Sequence, residues 1–339
     1  MILIRCVIKL ILIHKNALIA FIMSFALMLS ANDFAEKQIL IVKNSQQTES
    51  KLRFQNDNLV FANEETENRV SCHKVLAVFV VGDTSISTVL LRKARQHGIS
   101  FFLLNRNLES YAEILSSAEG NYLLRQKQYT FLSELSAAKK LVANKALNQL
   151  MLLRGAGKIA DYDLGIFAKI ENANTDKELL GLEGSVTKKF FQSYFKEIDW
   201  YRRLPRAKVD VNNLLLDIGY TMMLNYIDSL LHLFGFDVYK GFYHKLFFKR
   251  KSLSCDIVEP FRCIIDKQLL KSFNLKQIDL KDFTHRQGKY AVSYDKSTKY
   301  MRIFFEVIMD HKDDIYQYIY HFYRYMNGSE PEFPEFKLK

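Results

Sequence analysis

The hydrophobic pattern of the chain changes its period near residue 116, and this change constrains the fold more than any other feature. Before it, apolar stretches are short and separated by turn-forming residues, as in strands. From about residue 119 onward, apolar residues recur every three or four positions, as in helices. The predicted fold class is therefore α+β, with a small strand-rich N-terminal domain followed by a larger all-helical domain.

The same pattern predicts the individual elements. The β-branched and aromatic run at 75–81 indicates a strand buried on both faces. Strands are predicted at 39–42, 52–54, 59–61, 75–81, 101–104 and 111–115, and helices at 85–97, 121–155, 211–234 and 297–326. The two domains are placed at 28–116 and 117–327, and residues 328–339, which contain glycine and proline, are expected to form a flexible tail.

The first thirty residues have the outline of a secretory signal. Arg5, Lys9 and Lys15 precede an apolar run at 17–29, and small residues follow it. The run is shorter than the about 20 residues that a membrane-spanning helix needs. A buried core helix is one alternative, and sequence upstream of a later translation start is another.

Net charge points to an anionic partner. Lysine and arginine number 48 against 37 acids, which gives +11. Nucleic acid and anionic membranes both suit that surplus, although solubility alone explains it equally well. The four cysteines form no C-x-x-C pair, so a zinc ribbon or disulfide scaffold is not expected and a reducing compartment is.

Glu183 is the first candidate functional residue, in Gly-Leu-Glu-Gly at 181–184. A helix is predicted to begin there, and the helix dipole favours a carboxylate in a first turn. The neighbouring glycines leave the carboxylate approachable. A purely structural acid is the alternative.

His244 and two acids form the second group of candidates. His244 ends Gly-Phe-Tyr-His at 241–244, where a partly buried histidine with one hydrogen bond is the alternative. Asp256 and Glu259 are three residues apart, so they share one face of a turn or helix. Pro260 fits the first turn of a helix, which places both acids at or just before a helix start. A surface ladder of acids and bases is the alternative.

Two carboxylates and an imidazole can hold Mg²⁺ or Mn²⁺ with positions left open for water. Such a site polarises a phosphoryl oxygen, which in a basic protein suggests phosphodiester chemistry. Spacing alone supports the group weakly, because Glu183 is distant in sequence from the others.

Several motifs occur together in one order. Gly-Leu-Glu-Gly at 181–184 is followed by Arg203-Leu-Pro-Arg206, by Gly-Phe-Tyr-His at 241–244 and by Asp256-Ile-Val-Glu259-Pro-Phe-Arg262. Further matching residues run from Gly82-Asp83 to Gln128-Tyr129. In this order they resemble the CRISPR adaptation integrases, the first-numbered Cas proteins, over about residues 37 to 325.

The resemblance implies a dimerising N-terminal domain and a helical catalytic domain. It implies that Glu183, His244 and Glu259 bind Mg²⁺ or Mn²⁺, with Asp256 close to the site. The implied enzyme is a metal-dependent DNA endonuclease and strand transferase. In it, 3′-hydroxyl ends of a captured fragment attack the borders of a CRISPR repeat, and the protein supplies no covalent nucleophile.

The resemblance also implies partners. These are double-stranded DNA, a second copy of the chain, a dimer of the second-numbered Cas protein that bridges two such dimers, and in some systems the fourth-numbered Cas nuclease. No membrane is implied, the location is cytoplasmic, and the N-terminal half looks most like the branch of type V-A systems. Residues 1–27 are then expected to be an over-extended start or an appendage.

Four basic residues are candidate DNA ligands: Arg203, Arg206, Lys245 and Arg262. Solvated faces explain the basic runs almost as well as phosphate tracks do. Two other functions stay open, a metal-dependent structure-specific DNA nuclease and a non-catalytic DNA-binding subunit.

Overall fold

A computed structural model describes residues 37–43, 50–62, 66–104, 110–116, 121–158, 164–198, 200 and 202–339. The expectations for residues 1–27 lie outside this part of the chain. Among the described residues, no helix is both long enough and apolar enough to cross a membrane.

Two four-stranded sheets form the N-terminal part. The strands are β1 Gln38–Lys43, β2 Lys51–Gln55, β3 Asn58–Ala62, β4 Glu67–Ser71, β5 Val75–Val81, β6 Ser85–Ile86, β7 Ser100–Leu104 and β8 Ser110–Ile114, with helix α1 at Thr88–Gln96. One sheet has the order β1-β5-β7-β8, parallel except for β8, and the other has the order β4-β3-β2-β6. Each predicted strand is confirmed, but the polar strand β4 was not predicted. The helix predicted at 85–97 begins only at Thr88, because Ser85 and Ile86 pair with β2 as strand β6.

Strand β5 lies between two cores, as its unbroken apolar run predicts. Val78 and Val80 pack in the N-terminal core, with residues of β2, β3 and α1. Phe79 and Val81 point to the other face and join the core of the helical part. Every residue of β5 is buried. The sheet therefore serves as the platform on which the helices pack.

The helical part contains nine helices among the described residues. They are α2 Tyr122–Tyr129, α3 Glu134–Gly155, α4 Ile166–Glu171, α5 Asp176–Tyr194, α6 Val211–Phe234, α7 Ser252–Val258, α8 Arg262–Asn274, α9 Tyr294–Asp310 and α10 Lys312–Met326. Helix α6 confirms its prediction, since Asp210 caps its start and Gly235, at φ 86°, ends it.

Two long predicted helices are each divided in two. The 121–155 helix breaks at Thr130–Ser133, where Phe131 turns to pack against Phe242 and Tyr325. The 297–326 helix breaks at His311, whose Nδ1 donates to the carbonyl of Val307 at 2.9 Å. The first break thus serves a tertiary contact, whereas the second is closed by a local hydrogen bond between residues four apart. The apolar periodicity indicates neither break.

The helical part is also not all-helical, because it includes a hairpin. Strands β9 Phe283–Arg286 and β10 Lys289–Val292 are antiparallel and joined by Gln287 and Gly288. Both turn residues have positive φ, 50° and 74°, which suits the tight turn that a two-residue hairpin requires.

The C-terminal segment differs from the flexible tail that was predicted. Phe336 and Leu338 are buried. The side-chain amides of Asn144 and Asn148 in α3 both donate to the carbonyl of Phe336. In return, Asn144 Oδ1 accepts the backbone amide of Phe336, and Asn148 Oδ1 accepts that of Leu338. These paired hydrogen bonds fix the segment along α3, because buried amide groups need such partners.

Candidate active site

Glu183 lies in the middle of α5, and the prediction of a helix start at this residue was wrong. The helix begins seven residues earlier, where Thr175 Oγ1 accepts the amide of Glu178 at 3.2 Å. Gly181 and Gly184 are thus helical. A Cβ on either would meet no described atom within 4 Å outside the helix backbone, so packing does not require glycine at these positions. The side chain of Glu183 itself is only 16% exposed.

Asp256 organises the loop that carries His244. Its buried carboxylate accepts the amides of Phe242, Tyr243 and His244 at 2.6 to 3.0 Å. Because the oxygens of this carboxylate act as acceptors, the 2.7 Å contact with His244 is donated by the Nδ1–H of the imidazole. The Nε2 lone pair of His244 is then available as a ligand. Asp256 lies inside α7 rather than before a helix start.

Gly241 is needed for this arrangement. A Cβ there would lie 2.7 Å from Asp256 Oδ2 and 2.8 Å from the His244 carbonyl oxygen. We expect Gly241→Ala to lower the free energy of unfolding by about 1–3 kcal/mol and to weaken any Mn²⁺-induced rise in Tm. Gly181→Ala is the control, since it should raise stability by about 0.5–1 kcal/mol. Equal thermal unfolding curves for both variants would contradict this reading.

Lys145 links the two predicted carboxylate ligands, and the sequence did not indicate it. Its ammonium is nine-tenths buried, pairs with Glu183 Oε1 and lies 2.8 Å from Glu259 Oε2. Arg262 lies 3.0 Å from the other oxygen of Glu259. Burial opposes ionisation of Glu259, but Arg262 and Lys145 outweigh it and lower its pKa to about 2. Glu259 itself begins a 3₁₀ turn with Pro260, as predicted.

Glu183, His244, Glu259 and Lys145 line one open cleft of about 2350 Å³. That volume exceeds the roughly 300–1,000 Å³ of small-molecule pockets, so the cleft suits a macromolecular substrate. Ten lysine and arginine side chains line it against four carboxylates. Six of the ten form no ion pair among the described residues: Lys188, Arg202, Arg206, Lys208, Lys249 and Arg250. The cleft wall therefore favours an anion.

The four candidate DNA ligands occupy different places. Arg203 and Arg262 line the cleft, and each guanidinium lies over the ring of Tyr220. Arg203 also pairs with Asp217, so its role is at least partly structural. Arg206 is an exposed lining residue. Lys245 is not among the described lining residues and pairs with Glu134 and Asp176.

Tyr220 and Asp266 form a buried pair below these guanidinium groups, and this pair was not identified from the sequence. The Tyr220 hydroxyl donates to Asp266. Burial raises the pKa of Asp266 to about 7, although the hydrogen bond and the nearby cations oppose that rise. The pair supports the guanidinium groups from within the helical core.

A second group of metal-ligand types lies outside this cleft. Glu113, Asp228 and His232 place ligand atoms within 4.8 Å of one another, the one described group of three that does so. Lys251 lies 3.0 Å from Asp228 and also pairs with Glu113. Glu183, His244 and Glu259 do not meet that spacing in this structure, in which the ammonium of Lys145 pairs with both glutamates.

The donor set in the cleft nevertheless fits Mg²⁺ or Mn²⁺. Two carboxylates and the free Nε2 of an oriented imidazole are suitable ligands, and the Asp256–His244 contact is the supporting arrangement that metal-binding histidines use. The two glutamates also already pair with one positive charge, the ammonium of Lys145, so the position between them suits a cation.

Comparison with known proteins decides the family. A family model described as CRISPR associated protein Cas1 matches residues 45–306. This chain belongs to the Cas1 family. CRISPR-associated endonuclease Cas1 1 of Thermodesulfovibrio yellowstonii is 32% identical over 240 residues, which cover 65% of this chain and 75% of the relative. The residues matched by the family model, 45–306, include all the candidate metal ligands.

Solved structures share the Cas1 fold. A Cas1 protein from Thermotoga maritima has a TM-score of 0.76 at 18% identity, covering 88% of this chain and 100% of the other. A casposase bound to integration product has a TM-score of 0.74 at 18% identity, covering 88% and 94%. A chain of a Cas6-RT-Cas1–Cas2 complex has a TM-score of 0.72 at 21% identity, covering 90% and 36%. The α+β fold class is thereby confirmed.

Proposed function

We propose that this Cas1 family member is a CRISPR adaptation integrase, a metal-dependent DNA strand transferase that inserts captured fragments at repeat borders. The observation that carries the proposal is the position of Glu183, His244 and Glu259 along one wide, basic cleft. The Thermodesulfovibrio relative is named an endonuclease, and the casposase of similar fold is bound to integration product. Both favour chemistry at DNA phosphodiesters.

Glu183, Glu259 and His244 Nε2 are the proposed metal ligands, and Asp256 holds the imidazole in the required tautomer. When bound, Mg²⁺ or Mn²⁺ would polarise the phosphoryl oxygens at the displacement. Lys145 and Arg262, which pair with these glutamates in this structure, would then be free in part to bind the same phosphate.

The reaction itself is an exchange of phosphodiesters. The attacking 3′-hydroxyl loses its proton, a new P–O bond forms, and the displaced 3′-oxygen of the target strand takes up a proton. The chain supplies no covalent intermediate, so its contribution is to hold the two DNA segments in line. The six cleft cations without ion partners among the described residues suit that task.

The proposed partners are double-stranded DNA, a second copy of this chain and Cas2. The structural neighbour from a Cas1–Cas2 complex supports the last of these. The link to type V-A systems, and with it a Cas4 nuclease, stays a prediction. A DNA nuclease without joining activity is the second candidate, since the same ligands would serve it.

An integration assay tests the proposal. The full chain is mixed with Cas2, a short duplex with free 3′-hydroxyls, a supercoiled plasmid carrying a CRISPR repeat, and Mg²⁺ or Mn²⁺. We expect metal-dependent joining at the repeat borders. Cleavage without joining would replace the proposal by the nuclease, and DNA binding with neither reaction would replace it by a non-catalytic subunit.

A further inference from the structure

Residues 245–251 form a short loop, here called the aromatic loop, that exposes apolar side chains beside the cleft. Leu246, Phe247 and Phe248 are 67%, 73% and 82% exposed. Phe247 and Phe248 line the same cleft as Glu183 and Glu259. Two adjacent phenylalanines exposed to this extent at the edge of a substrate cleft indicate a binding role.

The aromatic loop is held in place at both ends. Lys245 lies 3.1 Å from Glu134 and 3.2 Å from Asp176, and Lys251 lies 3.0 Å from Asp228. Between them, the amide of Arg250 donates to the carbonyl of Phe247 at 3.0 Å, which closes a tight turn. The loop therefore presents its rings from a fixed base.

The charges around the rings favour DNA as the occupant. Lys249 Nζ lies 5.3 Å from the centre of the Phe248 ring, and Arg250 also lines the cleft. Aromatic rings interleaved with cations are the arrangement that binds bases and phosphates of unpaired strands. A phenyl ring can stack on a base only where one face of that base is free, at a duplex end or an unpaired nucleotide.

We infer that Phe247 and Phe248 stack on a terminal or unpaired base of the DNA strand in the cleft, and so position its 3′ end near Glu183 and Glu259. The inference rests on the proposed function. It assigns to this chain two positioning residues that lie beside the metal ligands and take no part in holding them.

The test is a binding titration with fluorescent DNA and the full chain, without divalent metal. The probe is a duplex with short single-stranded 3′ overhangs that carry 2-aminopurine at successive positions. Anisotropy of a distant dye reports total affinity, and 2-aminopurine fluorescence reports stacking on a ring. With wild-type protein we expect the 2-aminopurine fluorescence to be quenched at some positions of the overhang and not at others. This quenching should be lost in the Phe247→Leu/Phe248→Leu double variant. In the Phe247→Ala/Phe248→Ala double variant, the affinity for DNA should fall about tenfold for each ring removed.

Two controls separate stacking from other effects. The leucine variants keep the apolar surface, so a protein-docking role would survive them while stacking would not. Phe273→Ala removes a 41% exposed phenylalanine of α8 outside the described cleft lining and should change neither signal.

The outcomes distinguish the inference from the proposed function. Wild-type binding with unchanged quenching and affinity in both double variants would overturn the inference and leave the proposed function intact. Absence of DNA binding by the wild-type chain, also after addition of Cas2 and Mn²⁺, would overturn both. Unchanged DNA binding with lost self-association in the alanine variant would assign the aromatic loop to a protein contact instead.

Discussion

Glu183→Gln is expected to reduce metal-dependent joining by more than about 100-fold while leaving DNA affinity unchanged. The side chain keeps its size but loses the charge that pairs with Lys145 and would bind the metal. Replacing a residue that only supports a metal ligand costs about 10–100-fold, so the loss of a ligand should exceed that range. His244→Ala and Glu259→Gln should behave alike in the same assay.

A graded series makes this prediction specific. Asp256→Asn weakens the orientation of His244 without removing a ligand, so its loss should fall within about 10–100-fold. Glu306→Gln alters an exposed glutamate that pairs with Arg302 and should have no effect. Wild-type joining rates in Glu183→Gln, His244→Ala and Glu259→Gln would show that the ligand assignment is wrong.

Lys145→Met is expected to lower the free energy of unfolding in metal-free buffer by about 3 kcal/mol. The change leaves Glu183 and the buried Glu259 without the ammonium that lies between them. Mn²⁺ should then restore much of the loss, because it would no longer compete with Lys145 for the carboxylates. Denaturant unfolding with and without Mn²⁺ measures both effects.

The stability difference between wild type and Lys145→Met should depend on pH in a definite direction. The pKa of Glu259 is lowered from 4.5 to about 2, partly by Lys145. A lowered carboxyl pKa stabilises the protein above the unfolded value, and the effect is lost as pH falls through the folded value. The gap between wild type and Lys145→Met should therefore close between about pH 5 and pH 2.

Lys139→Met provides the matched control on the same helix. Lys139 is half-buried and donates to the backbone carbonyl of Glu171, so its replacement should change stability by less than about 0.5 kcal/mol. If Lys145→Met were as stable as Lys139→Met and responded to Mn²⁺ no more than wild type does, Lys145 would have no role as a counter-ion.

Much of the fold could be predicted because periodicity reports which face of an element is buried. The strand at 75–81 and the helix at 211–234 follow directly from their apolar residues. The start of α5 is also present in the sequence, as the capping pattern Thr175 to Glu178, but the apolar stripe that indicates this helix begins only at Val186.

The rest depends on contacts between distant segments. Lys145 looks like a solvent-facing lysine of an ordinary helix, and only the packing of α3 against α5 and the 3₁₀ turn brings it between two glutamates. Asn144 and Asn148 are four residues apart, which places them on one face of α3. That spacing indicates a polar stripe, but it does not indicate that residues 336–338 pair with it.

Anomalous diffraction at the manganese edge, from crystals of the full chain soaked in Mn²⁺, tests the central claim most directly. The account predicts an ion held by Glu183, His244 Nε2 and Glu259, with the ammonium of Lys145 displaced from between the two glutamates. An ion held instead by Glu113, Asp228 and His232, with none in the cleft, would contradict it.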